Sequence, residues 1–200
     1  SISNLVEQIL EVSRITADTL AIQRELVPIP EYFEKLRQEC APIARARGGT
    51  FVIRPLDYKI DTDPALLSRV IRNLVNNAFK YSDKEHPIVI LAARRRAKGL
   101  IQICVYDNGP GISREDREKI FHSFYRGEAG RKAEGFGLGL AIVKGICSRL
   151  GIGLSMGSLP GKGSVFRLQL GASTITEPNS LILICLGSSF IAPRPGKEDD

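Results

Sequence analysis

The sequence predicts a two-layer α/β sandwich, a mixed sheet covered on one side by helices and preceded by a helical segment. Helical apolar periodicity occurs in residues 2–20, 31–47, 64–81 and 140–150. Between and after these stretches, short runs rich in β-branched residues occur, several of them in pairs joined by glycine-containing turns. With 200 residues, 43% of them hydrophobic, the chain can bury one core of ordinary size. We therefore expect one main domain with appendages.

The first element is an amphipathic helix. Its apolar residues recur at steps of three and four: Ile2, Leu5, Val6, Ile9, Leu10, Val12, Ile15 and Leu20. Pro28 and Pro30 end this pattern, and a second helix from Glu31 to Arg47 stops at Gly48 and Gly49. We divide the chain into a helical segment, residues 1–27, a main domain, residues 28–172, and a tail of unknown role, residues 173–200, for which disorder is the default.

The next elements lead to a long helix. Residues 50–60 predict either a strand pair or a strand and a turn, and Asp63 and Pro64 supply the N-cap and first residue of a helix that runs to about Tyr81. Its apolar residues form one broad face: Leu66, Leu67, Val70, Ile71, Leu74, Val75 and Ala78. Asn73, Asn77 and Lys80 consequently lie together along a neighbouring edge.

The second half predicts two hairpins around a long loop. Strands at residues 88–94 and 100–106 lead directly into Asp107, so this carboxylate lies at a strand end. The charged, glycine-rich residues 113–139 predict a functional lid. A helix from Leu140 to Leu150 follows, and residues 152–156 and 164–170 form the closing hairpin.

Composition limits the function classes. A net charge of +6 would suit a polyanionic partner, but the chain has no Trp and its Arg94–Arg96 run fits a solvated hairpin end, so we expect no nucleic-acid partner. The four widely spaced cysteines predict neither a zinc site nor disulfides, which favours a reduced, cytoplasmic protein. His86 and His122 are expected at the surface. We expect no signal peptide and no membrane segment, because the apolar run at residues 181–186 is too short to span a bilayer.

Asp107 begins the motif Asp-Asn-Gly-Pro-Gly. A carboxylate at a strand end can accept a hydrogen bond from the amine of adenine, whereas guanine would present a carbonyl oxygen there. Leaving a charged acceptor unpaired costs about 1–3 kcal/mol, which is enough to select the base. Gly109 and Gly111 would let the backbone approach the ligand. Taken alone, the motif is also compatible with a plain turn.

Two further motifs suit a triphosphate and its cation. The Asn77 amide oxygen can ligate Mg²⁺, and Lys80 can neutralise phosphate, although such residues are also common as satisfied or solvated helix side chains. Gly135, Gly137 and Gly139 precede a helix, whose N-terminus attracts anions. Arg126, Arg131 and Lys132 add positive charge. Without repeated βαβ units, a dinucleotide-binding fold is rejected.

Together these motifs resemble the ATP-binding catalytic domain of sensor histidine kinases, in the superfamily of gyrase, Hsp90 and mismatch-repair ATPases, with its Bergerat-type fold. Residues 73–81 resemble the N box, 107–111 the first glycine box, 121–126 the phenylalanine box, 135–140 the second glycine box and 161–164 the last glycine element. The resemblance implies ATP and Mg²⁺ as cofactors, with Asn73, Lys80 and Arg126 as catalytic residues and Asn77 and Asn73 at the metal. The implied nucleotide-binding residues are Asn77, Lys80, Tyr81, Asp107, Gly109, Gly111, Ile112, Gly135, Gly137, Leu138, Gly139, Leu140 and Ser164.

The resemblance also distinguishes kinase from hydrolase. The related ATPases carry a Glu four residues before the metal-binding Asn, and here that position is Asn73, which cannot act as a general base. We therefore expect transfer to a histidine on a hairpin whose second helix residues 1–27 resemble; no matching phosphoacceptor segment is found in this chain. The implied partners are that hairpin, a response regulator and, in a homodimer, a second copy bound through the N-terminal helix. A regulatory nucleotide-binding module and a water-activating ATPase remain as alternatives.

Overall fold

The computed structural model describes residues 2–16, 20–82, 85–127 and 135–171. The tail and its Cys185, together with Arg131 and Lys132, lie outside the described residues. The described helices are α1 (Ile2–Thr16), α2 (Ile29–Ala46), α3 (Pro64–Tyr81) and α4 (Gly139–Leu150), with short 3-10 turns at Ala97–Gly99 and Lys119–Phe121. The described strands are β1 (Glu25–Pro28), β2 (Thr50–Arg54), β3 (Lys59–Thr62), β4 (Ile88–Arg95), β5 (Ile101–Asp107), β6 (Gly153–Ser158) and β7 (Ser164–Leu170).

Five strands form the main sheet, in the order β2-β4-β5-β7-β6. Strands β2 and β4 are parallel, and all other neighbours in this sheet are antiparallel. Both predicted hairpins are present, since β4 pairs with β5 and β6 pairs with β7. In the register, Asp107 at the end of β5 lies opposite Ser164, the first residue of β7, and Ser158 at the end of β6 lies opposite the same serine. Three strand ends therefore meet at one corner of the sheet.

Helices α2, α3 and α4 cover one face of this sheet. Alternate strand residues point into the core with them, and the largest fully buried side chains include Phe33, Leu67, Leu74, Ile103 and Ile142. The α3 helix begins where the sequence predicts, because the Asp63 side chain accepts a hydrogen bond from the Leu66 N–H at 3.0 Å and Pro64 occupies the first helical position. The predicted two-layer sandwich with a mixed sheet is confirmed.

The α1 helix packs on α4 through one of two apolar faces. Leu5, Val12 and Ile15 are partly buried against the core, and the approach is close at Gly145, where an added methyl group would lie 2.5 Å from Ile15 Cγ2. On the other face Val6, Ile9 and Leu10 are 44–53% exposed. None of the helices in the described residues is both long and apolar enough to cross a bilayer.

The structure differs from the sequence expectation around residues 25–62. A small second sheet, in which β1 pairs antiparallel with β3, was not predicted, because four-residue strands carry too little alternation to be recognised. Strands β2 and β3 do not pair with each other and belong to different sheets. Helix α2 also begins two residues before the expected Glu31, since Pro30 is tolerated in a first helical turn.

Candidate functional site

The site residues surround the corner where β5, β6 and β7 meet, next to the C-terminal half of α3 and the beginning of α4. Asp107 is the last residue of β5 and is partly buried. Its Oδ1 accepts hydrogen bonds from the Gly109 N–H at 2.9 Å and the Ser164 N–H at 3.2 Å. Both bonds use the same oxygen, so neither occupies the second carboxylate oxygen of Asp107.

Burial raises the pKa of the Asp107 carboxyl from 3.8 to about 6, although the two backbone N–H groups act in the opposite direction by stabilising the charged form. A carboxylate in this state gains from a hydrogen-bond donor that a ligand supplies. The elevated pKa and the strand-end position are both features of functional carboxylates.

The glycines around Asp107 are required by contacts within the chain. A side chain at Gly109 would lie 2.2 Å from the Tyr81 carbonyl oxygen, and one at Gly111 would lie 2.3 Å from the carbonyl oxygen of Leu159. At Gly163, where φ is +86°, the corresponding distance to the Asp107 carbonyl oxygen is 1.9 Å. Gly109 and Gly111 thus let two loops and the end of α3 pack together, and their role in letting the backbone approach a ligand remains a prediction.

The polar edge of α3 faces the beginning of α4. Asn73, Asn77 and Lys80 are all half-buried. The Asn73 side chain is oriented by its Nδ2, which donates to the Arg69 carbonyl oxygen at 2.9 Å, and its Oδ1 points towards Gly139. A methyl group at Gly139 would lie 3.2 Å from this oxygen, and 3.7 Å from Nδ2 and 3.9 Å from Oδ1 of Asn77. Two side-chain amides, each with its oxygen within 4 Å of that methyl position, are thus brought to the N-terminus of α4.

Lys80 and Tyr81 lie at the end of α3. The Lys80 Nζ is 4.9 Å from the centre of the Tyr81 ring, and a methyl group at Gly135 would lie 3.0 Å from the same Nζ. The ammonium group is therefore next to the glycine-containing segment that leads into α4. Since the first turn of α4 has no side-chain N-cap, its backbone N–H groups are not used by a capping side chain.

Leu138 and Leu140 flank the start of α4. Leu138 is 1% exposed, and Leu140 is partly buried and packs against the core. These two residues anchor the helix end, so the structure assigns them packing contacts. Asn73 also lines a cleft of about 380 Å³ between α1 and α3, together with Glu7, Gln8 and Asn76 among others.

Residues 113–127 form the first described part of the predicted lid. Ile112, which precedes it, packs on the core, and Arg126 is half-buried. Tyr125 donates to Asp116 Oδ1 at 2.5 Å. Phe124 has a positive φ of 65° and is 62% exposed, and its N–H donates to the Gly137 carbonyl oxygen at 3.0 Å. That bond joins the lid to the segment before α4.

Two residues at the corner were not singled out by sequence reasoning. Asn108 Oδ1 accepts from the Ile88 N–H at 2.9 Å and its Nδ2 donates to the His86 carbonyl oxygen at 2.7 Å, so the side chain fixes the start of β4. The position of Asn108 inside the Asp-Asn-Gly motif could have indicated this role from the sequence. The Ser158 hydroxyl accepts from the Ile112 N–H at 2.7 Å, and no local pattern marks that serine.

The described residues also contain histidine, cysteine and carboxylate side chains, which could build a site of another kind. Within the described ranges, no group of three or more His, Cys, Asp or Glu side chains could hold a metal ion by itself. Both histidines are exposed, and the three described cysteines are free thiols. A cation at this corner would therefore depend on amide oxygens and on oxygen atoms that a ligand brings.

Comparison with known proteins points to one family. Residues 62–174 match the family described as histidine kinase-, DNA gyrase B-, and HSP90-like ATPase. The sensor-like histidine kinase SenX3 of Mycolicibacterium smegmatis is 39% identical over 118 residues, which cover 58% of this chain and 30% of that protein. The sensor protein EvgS of Escherichia coli K12 is 28% identical over 179 residues, which cover 85% of this chain and 15% of that protein. This chain thus spans less than a third of the length of either relative.

Solved structures agree with the fold. The crystal structure of full-length ShkA in complex with AMPPNP has a TM-score of 0.70 at 28% identity, and covers 84% of this chain and 35% of that chain. The histidine kinase AdeS of Acinetobacter baumannii has a TM-score of 0.69 at 21% identity, covering 86% of this chain and 79% of that chain, and shares the fold. The chain therefore belongs to the histidine kinase-, DNA gyrase B- and HSP90-like ATPase family, and it contains an ATP-binding catalytic domain of the sensor histidine kinase type.

Proposed function

We propose that this domain binds ATP, with the base at the Asp107 corner and Mg²⁺ beside Asn77, and transfers the γ-phosphoryl group to a histidine of a phosphotransfer hairpin whose second helix residues 1–27 resemble. The observation that carries the proposal is the convergence on one region of a partly buried carboxylate, two amide oxygens, an ammonium group and an uncapped helix N-terminus. Each matches a part of the nucleotide complex: a base amine, a cation and phosphates.

The adenine amine would donate to Asp107. Gly109 and Ser164 hold Oδ1 by their N–H groups, which leaves Oδ2 for the ligand. Guanine would place a carbonyl oxygen against the carboxylate, and an unpaired charged acceptor costs about 1–3 kcal/mol or more. The site would therefore prefer adenine. Gly111, Ile112 and Tyr81 would border the base.

The phosphates would lie between α3 and the segment 135–140. Lys80 next to Gly135 would neutralise phosphate charge, and the N–H groups around Gly137 and Gly139 would donate to phosphate oxygens. Arg126 would contribute charge from the lid.

The residues present fit a magnesium ion. Asn77 and Asn73 both bring amide oxygens to within 4 Å of one point beside Gly139, and Mg²⁺ is commonly held by few protein oxygens with phosphates and water completing its shell. When bound, the ion would neutralise charge on the transferred group. Asn73 cannot remove a proton from water, which favours phosphoryl transfer over hydrolysis.

The proposed kinase would act with protein partners. A histidine-bearing hairpin and a response regulator are expected from the kinship with sensor kinases, and the exposed α1 residues Val6, Ile9 and Leu10 offer an apolar face for a second copy. The division into residues 1–27, 28–172 and 173–200 remains a prediction. A cytoplasmic location is supported by the free thiols of Cys40, Cys104 and Cys147.

The test is calorimetric titration with a non-hydrolysable ATP analogue, with and without Mg²⁺, using the GTP counterpart as a control. We expect adenine-selective, magnesium-dependent binding, followed by labelling of a separately supplied histidine-bearing hairpin when ATP is added. Binding without any transfer would favour the regulatory module. Brisk hydrolysis that survives Asn73→Ala would favour the ATPase and contradict the proposed role of Asn73.

A further inference from the structure

Ser158 is the last residue of β6 and is 6% exposed. Its hydroxyl lies 2.7 Å from the Ile112 nitrogen, 3.1 Å from the Gly163 carbonyl oxygen and 3.1 Å from the Ser164 hydroxyl. Its own carbonyl oxygen accepts from the Arg117 guanidinium at 2.6 Å. The residue therefore contacts the segment that follows the Asp107–Gly111 turn and the loop that connects β6 to β7.

The three contacts use the full capacity of one hydroxyl group. It accepts from the Ile112 N–H and from the Ser164 O–H, and it donates its single proton to the Gly163 carbonyl oxygen. Because the site is buried, water cannot easily replace a missing partner. Alanine at this position would leave the Ile112 N–H unpaired and would remove the hydrogen bond between the two serine hydroxyls, although strand pairing would still hold the Ser164 backbone.

These two residues bound the Asp107 loop on opposite sides. Ser164 donates its backbone N–H to Asp107 Oδ1 at 3.2 Å, and Ile112 is the first residue after the turn Asp107–Gly111. The turn is held further by the Gly161 N–H, which donates to the Pro110 carbonyl oxygen at 2.7 Å. Ser158 thus contacts Ser164, which donates to the carboxylate, and Ile112, which ends the turn, without touching the carboxylate itself.

We propose that Ser158 is a positioning residue for base recognition, which orients the Asp107 carboxylate through Ser164 and Ile112. This inference rests on the proposed function, since it deepens the adenine contact. Ser158 itself need not touch the nucleotide. Its effect would be to keep the second carboxylate oxygen directed at the base amine.

The experiment compares wild type, Ser158→Ala and Ser68→Ala in the full chain. Ser68 is a buried serine of α3 whose hydroxyl bonds to the Tyr32 hydroxyl at 2.9 Å, away from Asp107, so its alanine variant controls for the loss of one buried hydroxyl. Binding of ADP and GDP is measured by calorimetry across pH 5.5–8, together with the melting temperature. Ser158→Ala should weaken ADP binding about tenfold and reduce the ADP over GDP preference by a similar factor.

Ser68→Ala should lower the melting temperature but keep the wild-type preference and pH profile. If Ser158→Ala behaves like Ser68→Ala, the inference is overturned. Should Ser158→Ala fail to fold, Arg117→Ala removes the guanidinium contact from the surface side and should shift the preference in the same direction, by about threefold. An unchanged preference in that variant overturns the inference. Failure of the proposed function looks different, because wild type itself would then show no preference for ADP.

Discussion

Asp107→Asn should change the stability of the fold and the affinity for ATP in opposite directions. The amide oxygen of Asn can accept from the Gly109 and Ser164 N–H groups as Oδ1 does now. The substitution removes the negative charge and replaces the second oxygen by an NH₂ donor. We expect the apo protein to become more stable at pH 7.5 and ATP binding to become weaker.

The size of the stability gain follows from the pKa of Asp107. The folded-state pKa of about 6 exceeds the ordinary value of 3.8, so the folded state holds the proton more tightly than the unfolded state does. The contribution of the protonated Asp107 carboxyl to the free energy of unfolding is therefore fully present below the unfolded-state pKa, and it is lost as the pH rises through about 6. At about 1.4 kcal/mol per pKa unit, ionisation costs at most about 3 kcal/mol at pH 7.5, and partial exposure of the side chain reduces this to about 1–2 kcal/mol.

Thermal unfolding followed by circular dichroism tests this value. A gain of about 1–2 kcal/mol corresponds to a rise in melting temperature of roughly 2–8 °C for a chain of this size. The difference between variant and wild type should shrink towards zero as the pH falls to about 3, where Asp107 is protonated in most molecules of both the folded and the unfolded state. The exposed Asp57→Asn serves as the control, since it removes one charge from the surface and should change little at either pH.

The affinity for ATP should fall in Asp107→Asn, although the stability of the free protein rises. The NH₂ group that Asp107→Asn introduces would face the adenine amine, so at least about tenfold weaker binding is expected. Wild-type affinity should also fall below about pH 6, whereas the variant should lose the part of this pH dependence that Asp107 causes. A variant that is destabilised at pH 7.5, or that binds ATP as tightly as wild type, would refute the reasoning about this carboxylate.

Two further substitutions test the glycines and the cation site. Gly163→Ala would bring a methyl group to 1.9 Å from the Asp107 carbonyl oxygen, and we expect the free energy of unfolding, measured by urea titration, to fall by about 3 kcal/mol or more. The control is Gly161→Ala, which has a similar φ of +74° but no neighbour within 4 Å and should cost only about 1 kcal/mol. Equal losses would show that the close contact is unimportant. Asn77→Ala should abolish the magnesium dependence of nucleotide binding in calorimetry while the exposed Asn76→Ala retains it, and magnesium-dependent binding in both variants would remove Asn77 from the cation site.

The sequence predicted those parts of the fold that depend on local signals. The Asp63 cap, Pro64 and the apolar face of α3 located a helix end to the residue, because capping and periodicity act within a few positions. Both long hairpins were recognised for the same reason. The β1–β3 sheet was missed, since its stability comes from pairing between segments separated by a whole helix and a further strand, and not from its own four-residue strands.

The site shows the same division between local and tertiary causes. Asp107, Asn77 and Lys80 could be proposed as site residues from the sequence because side chains of suitable chemistry stand there in short motifs. The packing contacts that require glycine at positions 109 and 111 could not be predicted from the sequence. The atoms that exclude a side chain there belong to Tyr81 and Leu159, which are distant in the sequence. Ser158 was invisible for a related reason, as its hydroxyl acts through a tertiary contact with Ile112 and through the end of a neighbouring strand.

On the proposed function, the raised pKa of Asp107 links the unfavourable state of the free site to its preference for adenine. Without ligand at neutral pH, the fold holds an ionised carboxylate in a partly buried place, and the hydrogen bonds that the described residues donate to it reach only one of its oxygens. On the proposed function, the adenine amine supplies a donor to the other oxygen, so binding recovers free energy that folding left unfavourable. Guanine would add a second electronegative atom next to the same charge. A more exposed aspartate would cost the fold less and would also discriminate less between the two bases, because water could hydrate the charge whichever base was bound. On the proposed function, selectivity for adenine and a modest loss of stability in the free protein are therefore two consequences of burying the same carboxylate.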